Sequence, residues 1–225
     1  MSNLKFFEHS AVKNPKYLVI FLHGYGSNGE NLLNLAHEFQ HVIPEAHFIS
    51  PNAIEAWEGG FPDAYQWFSL ADWGLNRDVS RVAPSVKKAN QTLNAFILKQ
   101  LERFSLKPDS LFLVGFSQGA MMSMYQGLMM PQKPAGIISY SGKLILPEHL
   151  GELTISKPEI CLIHGKLDSV LPFTNFVEAE KLLQENKIPF ESHAVDNLDH
   201  TIDIHGIRAG MHFVKRILKN NSQLK

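Results

Sequence analysis

Short apolar runs alternate with longer segments of helical spacing along this chain. Several runs are apolar at every position, which is typical of parallel strands covered on both faces. Even the strong first run is far shorter than the roughly 20 apolar residues that span a bilayer, so it predicts a buried strand. The predicted strands are Tyr17–Leu22, Ala46–Ser50, Ser110–Val114, Gly136–Tyr140, Glu159–His164 and Phe190–Val195.

Helical spacing fills the intervals between those runs. From about Pro84 to Phe104, apolar residues recur every three or four positions, and we expect Pro84 in the first turn, where its missing N–H costs nothing. The alternation predicts an α/β fold, with a mostly parallel sheet and helices on both faces. We expect one domain over residues 1–225, with little chain left for a separate cap domain. The other predicted helices are Glu30–Phe39, Gly119–Met129, Thr174–Asn186 and about Gly206–Lys219.

One long segment, Pro51 to about Asp78, lacks any sustained period but holds Trp57, Trp67 and Trp73. Irregular connections of this length are uncommon in compact domains and are usually functional when ordered. A hydrophobic flap that seals a sheet edge is one interpretation. We favour the wall of a substrate pocket, since aromatic residues in an irregular surface segment suit an apolar ligand.

Composition narrows the class of protein. Lys and Arg number 21 against 22 Asp and Glu, and the net charge of −1 offers no basic field to phosphate backbones, so we expect no nucleic-acid partner. The lone cysteine, Cys161, excludes an internal disulfide framework, and the N-terminus carries no export signal. We therefore expect a cytoplasmic protein without stable membrane insertion. A net charge near zero opposes self-association weakly, which leaves a homodimer open.

The most specific chemical motif is G-x-S-x-G, formed by Gly115, Ser117 and Gly119 between a predicted strand and a predicted helix. That context indicates a nucleophile elbow. In so tight a turn, side chains at either glycine would collide with neighbouring backbone. Ser117 would then stand at the carboxyl edge of the sheet, above a helix N-terminus that favours developing negative charge. We prefer this interpretation to an ordinary glycine-rich turn.

A nucleophilic serine needs a base to take its proton and a third group to orient that base. The elbow is associated with the chain order Ser, then Asp or Glu, then His. Asp168 follows the strand Glu159–His164, and His200 lies in a polar loop after Phe190–Val195, so we predict them as acid and base. A helix-capping role for Asp168 and the use of His205 as the base remain alternatives. Other aspartates lie too near the histidines in sequence to be preferred: Asp196, Asp199 and Asp203.

A glycine-rich stretch, His23–Gly29, directly follows the first strong strand. Backbone there can turn an N–H toward the nucleophile and complement the N–H of the residue after it. The predicted oxyanion hole therefore consists of the N–H groups of Tyr25 and Gln118, while His23 is expected to hold the loop by hydrogen bonds. The phosphate-loop pattern G-x-x-x-x-G-K-[ST] is absent. Gly24, Gly26 and Gly29 do have the spacing G-x-G-x-x-G, but that pattern alone is weak, so we interpret the stretch as the oxyanion loop and expect no nucleotide site.

A metal cluster is the alternative use of His193, His200 and His205. Their spacing matches no zinc pattern, so we predict no metal site. The serine chemistry also requires no organic cofactor.

Taken together, these motifs resemble the phospholipase/carboxylesterase family of α/β-hydrolases, which includes the acyl-protein thioesterases and small bacterial carboxylesterases. The resemblance runs from about Tyr17 to Leu218. Matching blocks occur in order: LVIFLHGYGSNGENL, SPNA with YQWFSL, LVGFSQGAMMS, ISYSGKL, and IHGKLDSVLP followed by DHTID.

The resemblance implies an α/β-hydrolase fold and a Ser-His-Asp triad. Carried over by position, the triad is Ser117, Asp168 and His200, the oxyanion donors are Tyr25 and Gln118, and the Trp67-Phe68 pair borders the acyl site.

The expected reaction is cleavage of a small ester or acyl thioester through an acyl-enzyme. Acyl-protein members of the family often have Asp after Trp-Phe, where this chain has Ser69, which favours a bacterial-type carboxylesterase. An acyl-protein thioesterase or lysophospholipase acting on long acyl groups is the alternative. A non-catalytic module that binds acyl ligands is a more remote one.

Overall fold

A seven-stranded sheet lies at the centre of the computed structural model, which describes residues 4–71, 79–145 and 150–223. In chain order the strands are β1 (Phe6–Ser10), β2 (Tyr17–Leu22), β3 (Ala46–Pro51), β4 (Glu55–Ala56), β5 (Tyr65–Gln66), β6 (Leu111–Phe116), β7 (Gly136–Tyr140), β8 (Ile160–Gly165) and β9 (Phe190–Val195). Two of them, β4 and β5, form a separate two-stranded sheet. The main sheet has the order β1-β3-β2-β6-β7-β8-β9. Its strands run parallel except β1, which pairs antiparallel with β3 at one edge.

Helices cover both faces of this sheet. They are α1 (Gly29–Leu33), α2 (Ala36–Phe39), α3 (Val79–Arg103), α4 (Gln118–Met129), α5 (Leu150–Leu153), α6 (Thr174–Glu185) and α7 (Ile204–Gln223). One apolar core lies between the sheet and α3, α4 and α6, and a second lies under α2 and α7. Among the described helices, none has the length and apolar character needed to cross a membrane.

The pattern of apolar runs predicted the six parallel strands to within two residues at each end. The pattern did not predict β1, because its sequence, FFEHS, mixes apolar and polar residues and forms a strand through its long-range pairing with β3. The predicted helix Glu30–Phe39 divides into α1 and α2. Leu35 and Glu38 donate to carbonyls three residues back, so the chain tightens between the two pieces.

The prediction that Pro84 occupies the first turn of its helix is wrong. The helix α3 begins at Val79, and Pro84 lies inside it. Because proline fixes φ near the helical value, an additional turn can precede it at the loss of one backbone hydrogen bond.

The irregular segment from Pro51 onward contains a short hairpin. Its strands β4 and β5 pair through Glu55–Gln66 and Ala56–Tyr65, and Tyr65 also bridges to Ser27 in the loop after β2. The tryptophan-rich segment is thereby attached to the glycine-rich loop. Residues 72–78, which include the predicted pocket residue Trp73, lie outside the described residues.

Candidate active site

Ser117 occupies a strained turn between β6 and α4. Its φ is 53° and its ψ is −118°, a conformation that side chains rarely adopt. A Cβ at Gly115 would lie 2.3 Å from the Gly119 carbonyl oxygen, and one at Gly119 would lie 1.9 Å from the Leu22 carbonyl oxygen. Both glycines are therefore required by the close approach of backbone, as the sequence predicted.

The structure brings Ser117, His200 and Asp168 into one hydrogen-bonded row. The Ser117 hydroxyl lies 2.9 Å from His200 Nε2, and His200 Nδ1 lies 2.8 Å from Asp168 Oδ2. A carboxylate is an acceptor, so Nδ1 carries the proton and Nε2 is free to accept one from the serine. This is the arrangement in which an imidazole can act as the base toward a serine hydroxyl.

Asp168 is fixed from several directions. Its side chain is fully buried, and Oδ1 accepts the backbone N–H groups of Leu171 at 2.7 Å and Val170 at 3.0 Å. The carboxylate therefore shapes the turn after β8 and also faces His200. The alternative role as a helix cap is wrong, because α6 begins at Thr174 and its N-cap, Phe173, has no side-chain cap.

The loop that carries His200 is tied to the loop that carries Asp168. Asp199 Oδ1 accepts hydrogen bonds from the Ser169 N–H and hydroxyl, both at 2.8 Å, and from the His200 N–H at 2.7 Å. These bonds, first of all the one from the Ser169 backbone, lower the pKa of Asp199. The ring of Phe116 lies 5.0 Å from the imidazole of His200 and packs beside it.

The other candidates for acid and base lie elsewhere. His205 is exposed at the start of α7, while Asp203 accepts the Gly206 N–H at 2.8 Å and caps that helix. Asp196 forms a surface ion pair with Lys166. Among these groups, His200 and Asp168 are the ones that form the row with Ser117.

The residues predicted to supply the oxyanion donors adjoin the elbow, and their role stays a prediction. A Cβ placed at Gly24 would lie 3.3 Å from the Ser117 Cβ, so the residue before Tyr25 lies close to the serine. Gln118 is the first residue of α4, where N–H groups lack an acceptor within the helix. The loop's own hydrogen bonds use the N–H groups of Gly26 and Ser27.

The side chain of Gln118 joins the elbow to the aromatic segment. Its Oε1 accepts the Trp67 N–H at 2.8 Å, and its Nε2 donates to the Phe68 carbonyl at 2.7 Å. Both aromatic side chains are fully buried, so they brace the elbow from the interior. Their predicted contact with an acyl group stays a prediction.

His23 holds the loop after β2, as expected. Its Nδ1–H donates to the Gly24 carbonyl at 2.7 Å, and its Nε2 accepts the Ala53 N–H at 2.9 Å. The Trp67 indole donates to the His23 carbonyl at 3.0 Å. Burial lowers the pKa of His23 to about 4, so the ring is neutral at pH 7 and can make both bonds.

A carboxylate that the sequence analysis missed lies at the rim of the site. Glu58 accepts hydrogen bonds from the Tyr25 hydroxyl, from Ser69 Oγ at 2.5 Å, and from the N–H groups of Leu70 and Ala71 at 3.2 Å. We call these five residues the rim clasp. Burial opposes the ionisation of Glu58, but the bonds from Ser69 and Tyr25 outweigh it and lower the pKa.

The sequence did contain one signal of the rim clasp. Ser69 stands where acyl-protein members of the family often have Asp, and a serine at that position can donate to a carboxylate from elsewhere. Glu58 supplies that carboxylate from the turn between β4 and β5.

The three histidines considered for a metal cluster do not form one. His200 belongs to the row with Ser117, whereas His193 lies beside Glu191 and Cys161, whose ligand atoms are within 4.8 Å of one another. Arg216 already donates to Glu191 at 3.1 and 2.6 Å, and burial raises the pKa of the Cys161 thiol. A protonated thiol beside a guanidinium fits a divalent cation poorly.

Comparisons with known proteins agree with this architecture. The family model for Phospholipase/Carboxylesterase matches residues 6–218. Acyl-protein thioesterase 1 of Kluyveromyces lactis is 26% identical over 222 residues, covering 93% of this chain and 96% of its own. Esterase YpfH of Escherichia coli K12 is 26% identical over 201 residues, covering 87% and 82%.

Among solved structures, esterase PE8 superposes with a TM-score of 0.89 at 35% identity, covering 96% of this chain and 100% of its own. The predicted α/β-hydrolase fold is thus confirmed, with a mostly parallel sheet between two layers of helices. Sequence, fold and site geometry all agree that the chain belongs to the phospholipase/carboxylesterase family.

Proposed function

We propose that the protein is a serine hydrolase that cleaves carboxylic esters through an acyl-enzyme on Ser117. The observation that carries this proposal is the continuous row from Ser117 through His200 to the buried carboxylate of Asp168, with distances of 2.9 and 2.8 Å. In this row each hydrogen bond has the direction that serine activation requires.

In the first half-reaction, Ser117 Oγ attacks the carbonyl carbon while its proton passes to His200 Nε2. Asp168 stabilises the resulting imidazolium, and the N–H groups of Tyr25 and Gln118 hold the oxyanion. The tetrahedral intermediate then collapses, and the imidazolium gives its proton to the departing alcohol or thiol. An acyl group remains on Ser117.

In the second half-reaction, a water molecule replaces the leaving group. His200 Nε2 takes one proton from the water as its oxygen attacks the acyl carbon, and then returns that proton to Ser117 Oγ as the acid is released. The enzyme ends in its starting protonation state. No metal or organic cofactor takes part in this sequence.

The resemblance to esterase PE8, at 35% identity, supports carboxylic esters as substrates. The yeast relatives named acyl-protein thioesterase 1 support the second candidate, removal of acyl groups from protein thioesters. The chemistry at Ser117 is the same for both. Hydrolysis rates measured from acetyl to palmitoyl chains, on oxygen esters and on thioesters, separate them. The cytoplasmic location and the single-domain organisation stay predictions.

A fluorophosphonate probe tests the proposal directly, because it labels a serine only when a base activates it. We expect peptide mapping to find the label on Ser117, and Ser117→Ala to lose labelling and at least about 10³-fold in kcat/KM. Ser141→Ala is the matched control, since Ser141 also follows a strand of the sheet and also has a positive φ, of 47°. Labelling at another residue, or full esterase activity in Ser117→Ala, would refute the proposal.

A further inference from the structure

A second imidazole lies against Asp168. His164, near the carboxyl end of β8, is 2% exposed, and its Nε2 lies 3.2 Å from Asp168 Oδ2 and 2.9 Å from the Leu171 carbonyl oxygen. The rings of Phe173 and Phe176 pack against it at centroid distances of 6.1 and 6.0 Å. The imidazole is therefore held in place by packing as well as by hydrogen bonds.

The proton on this ring can be assigned from its neighbours. The Leu171 carbonyl is an acceptor, so Nε2 of His164 carries the hydrogen and donates it to that carbonyl. Burial lowers the pKa of His164. The Leu171 carbonyl and Asp168 oppose this shift, while His200 adds to it. The ring is consequently a neutral donor near pH 7.

The buried carboxylate is enclosed on both of its oxygens. Oδ1 accepts two backbone N–H groups, from Val170 and Leu171. Oδ2 accepts His200 Nδ1 at 2.8 Å, and the edge of the His164 ring lies beside the same oxygen, with Nε2 at 3.2 Å. The hydrogen bond of His164 itself goes to the carbonyl of Leu171, the residue whose N–H holds Oδ1.

We propose that His164 is a positioning residue for the triad: its Nε2–H holds the Leu171 carbonyl, and with it the turn whose N–H groups fix Asp168 so that Oδ2 faces His200. The inference rests on the proposed function, because it assigns His164 to the support of the same serine chemistry. A rotation about the Cβ–Cγ bond of Asp168 would move Oδ1 away from its backbone donors and Oδ2 out of line with His200. The imidazole of His164 opposes that rotation, because it fixes those donors and lies beside Oδ2.

Three substitutions separate this role from space filling. His164→Leu fills volume without a donor. The amide nitrogen of His164→Gln reaches about as far as Nε2, whereas that of His164→Asn ends near the position of Nδ1. We expect the Leu and Asn variants to lose about 10- to 100-fold in kcat/KM, mostly in kcat. His164→Gln should recover most of the loss, because its amide N–H can still donate to the Leu171 carbonyl.

The outcomes that would overturn the proposal are equally specific. If His164→Leu or His164→Asn keeps kcat/KM within twofold of the wild type, His164 does not position Asp168. If Gln is no better than Asn, the hydrogen bond is not the cause. Should the Leu variant fail to fold, the Gln and Asn pair still decides the question. Retained activity in Ser117→Ala would instead refute the proposed function itself.

Discussion

At the scale of single residues, the conformation of Ser117 depends on Gly115 and Gly119, where neighbouring backbone lies too close for a side chain. We predict that Gly119→Ala loses about 3 kcal/mol or more in the free energy of unfolding, because its Cβ would lie 1.9 Å from the Leu22 carbonyl oxygen. Urea denaturation measures this loss.

The matched control for that substitution is Gly151→Ala. A Cβ there would meet its nearest atom, Asn186 Oδ1, at an ordinary 3.8 Å, and the residue lies in a helix, where alanine is favoured. Its free energy of unfolding should stay within about 1 kcal/mol of the wild type. Equal stability of the two variants would contradict the steric account of the elbow.

The residues of the candidate site were predictable where local sequence determines the backbone. Gly115 and Gly119 flank a serine at a spacing that one kind of turn explains, and Asp168 and His200 follow parallel strands that end at the same sheet edge. Ser69 was a signal that a carboxylate could be bound at the rim, but Glu58 itself was not predictable, because its position comes from the fold of a hairpin that carries no motif. His164 was hidden for another reason: a histidine inside an apolar strand gives no sign of its partner.

At the scale of elements, the rim clasp connects two segments that do not pair with each other in the main sheet. Glu58 joins Tyr25, in the loop after β2, to Ser69 and the residues after it. Burial, followed by the bond to Glu58, raises the pKa of Tyr25 to about 12. The clasp therefore holds the loop that would supply one oxyanion donor against the segment that carries Trp67 and Phe68.

We predict that Glu58→Gln loses about 1 kcal/mol of stability and raises KM, because a neutral amide replaces a carboxylate that accepts four hydrogen bonds. The figure is small since Glu58 is exposed. Urea denaturation and steady-state kinetics measure the two effects. Glu55→Gln is the control on the same hairpin, because it removes a surface ion pair with Lys88. An equal loss of stability and an equal rise in KM in Glu55→Gln would mean that the rim clasp contributes no more than an ordinary surface charge.

The pH dependence of this difference follows from the lowered pKa of Glu58. Its folded pKa is below the ordinary value of 4.5, so the stabilisation is fully present above pH 4.5 and is lost as the pH falls through the folded pKa. The stabilities of wild type and Glu58→Gln should therefore converge in acid and differ at neutral pH.

At the scale of the whole molecule, the alternation of short apolar runs with segments of helical spacing was sufficient to predict a mostly parallel sheet between two layers of helices. Most of the parallel strands, β2 and β7 among them, are short apolar runs, so most of the sheet could be predicted from local pattern. The edge strand β1 and the β4–β5 hairpin depend on pairing with distant segments. Their sequences are mixed, and local pattern could not specify them.

The same buried architecture makes the stability of the molecule sensitive to acid. His23 is neutral in the folded protein with a pKa of about 4, against 6.5 when unfolded. Above pH 6.5 neither state binds the proton, and His23 adds no pH dependence. As the pH falls from 6.5 toward 4 the unfolded state gains a proton first, so stability drops by up to about 3 kcal/mol in total.

Replacement of the imidazole should remove that dependence. In His23→Gln, the side-chain oxygen can still accept the Ala53 N–H, but it does not titrate. We predict a shallower fall in the free energy of unfolding between pH 6.5 and 4, measured by urea denaturation at each pH. The exposed His205 is the control, and His205→Gln should keep the wild-type slope. A wild-type slope in His23→Gln would mean that the ring can be protonated inside the folded protein, and that the loop over Ser117 is held by something other than a neutral histidine.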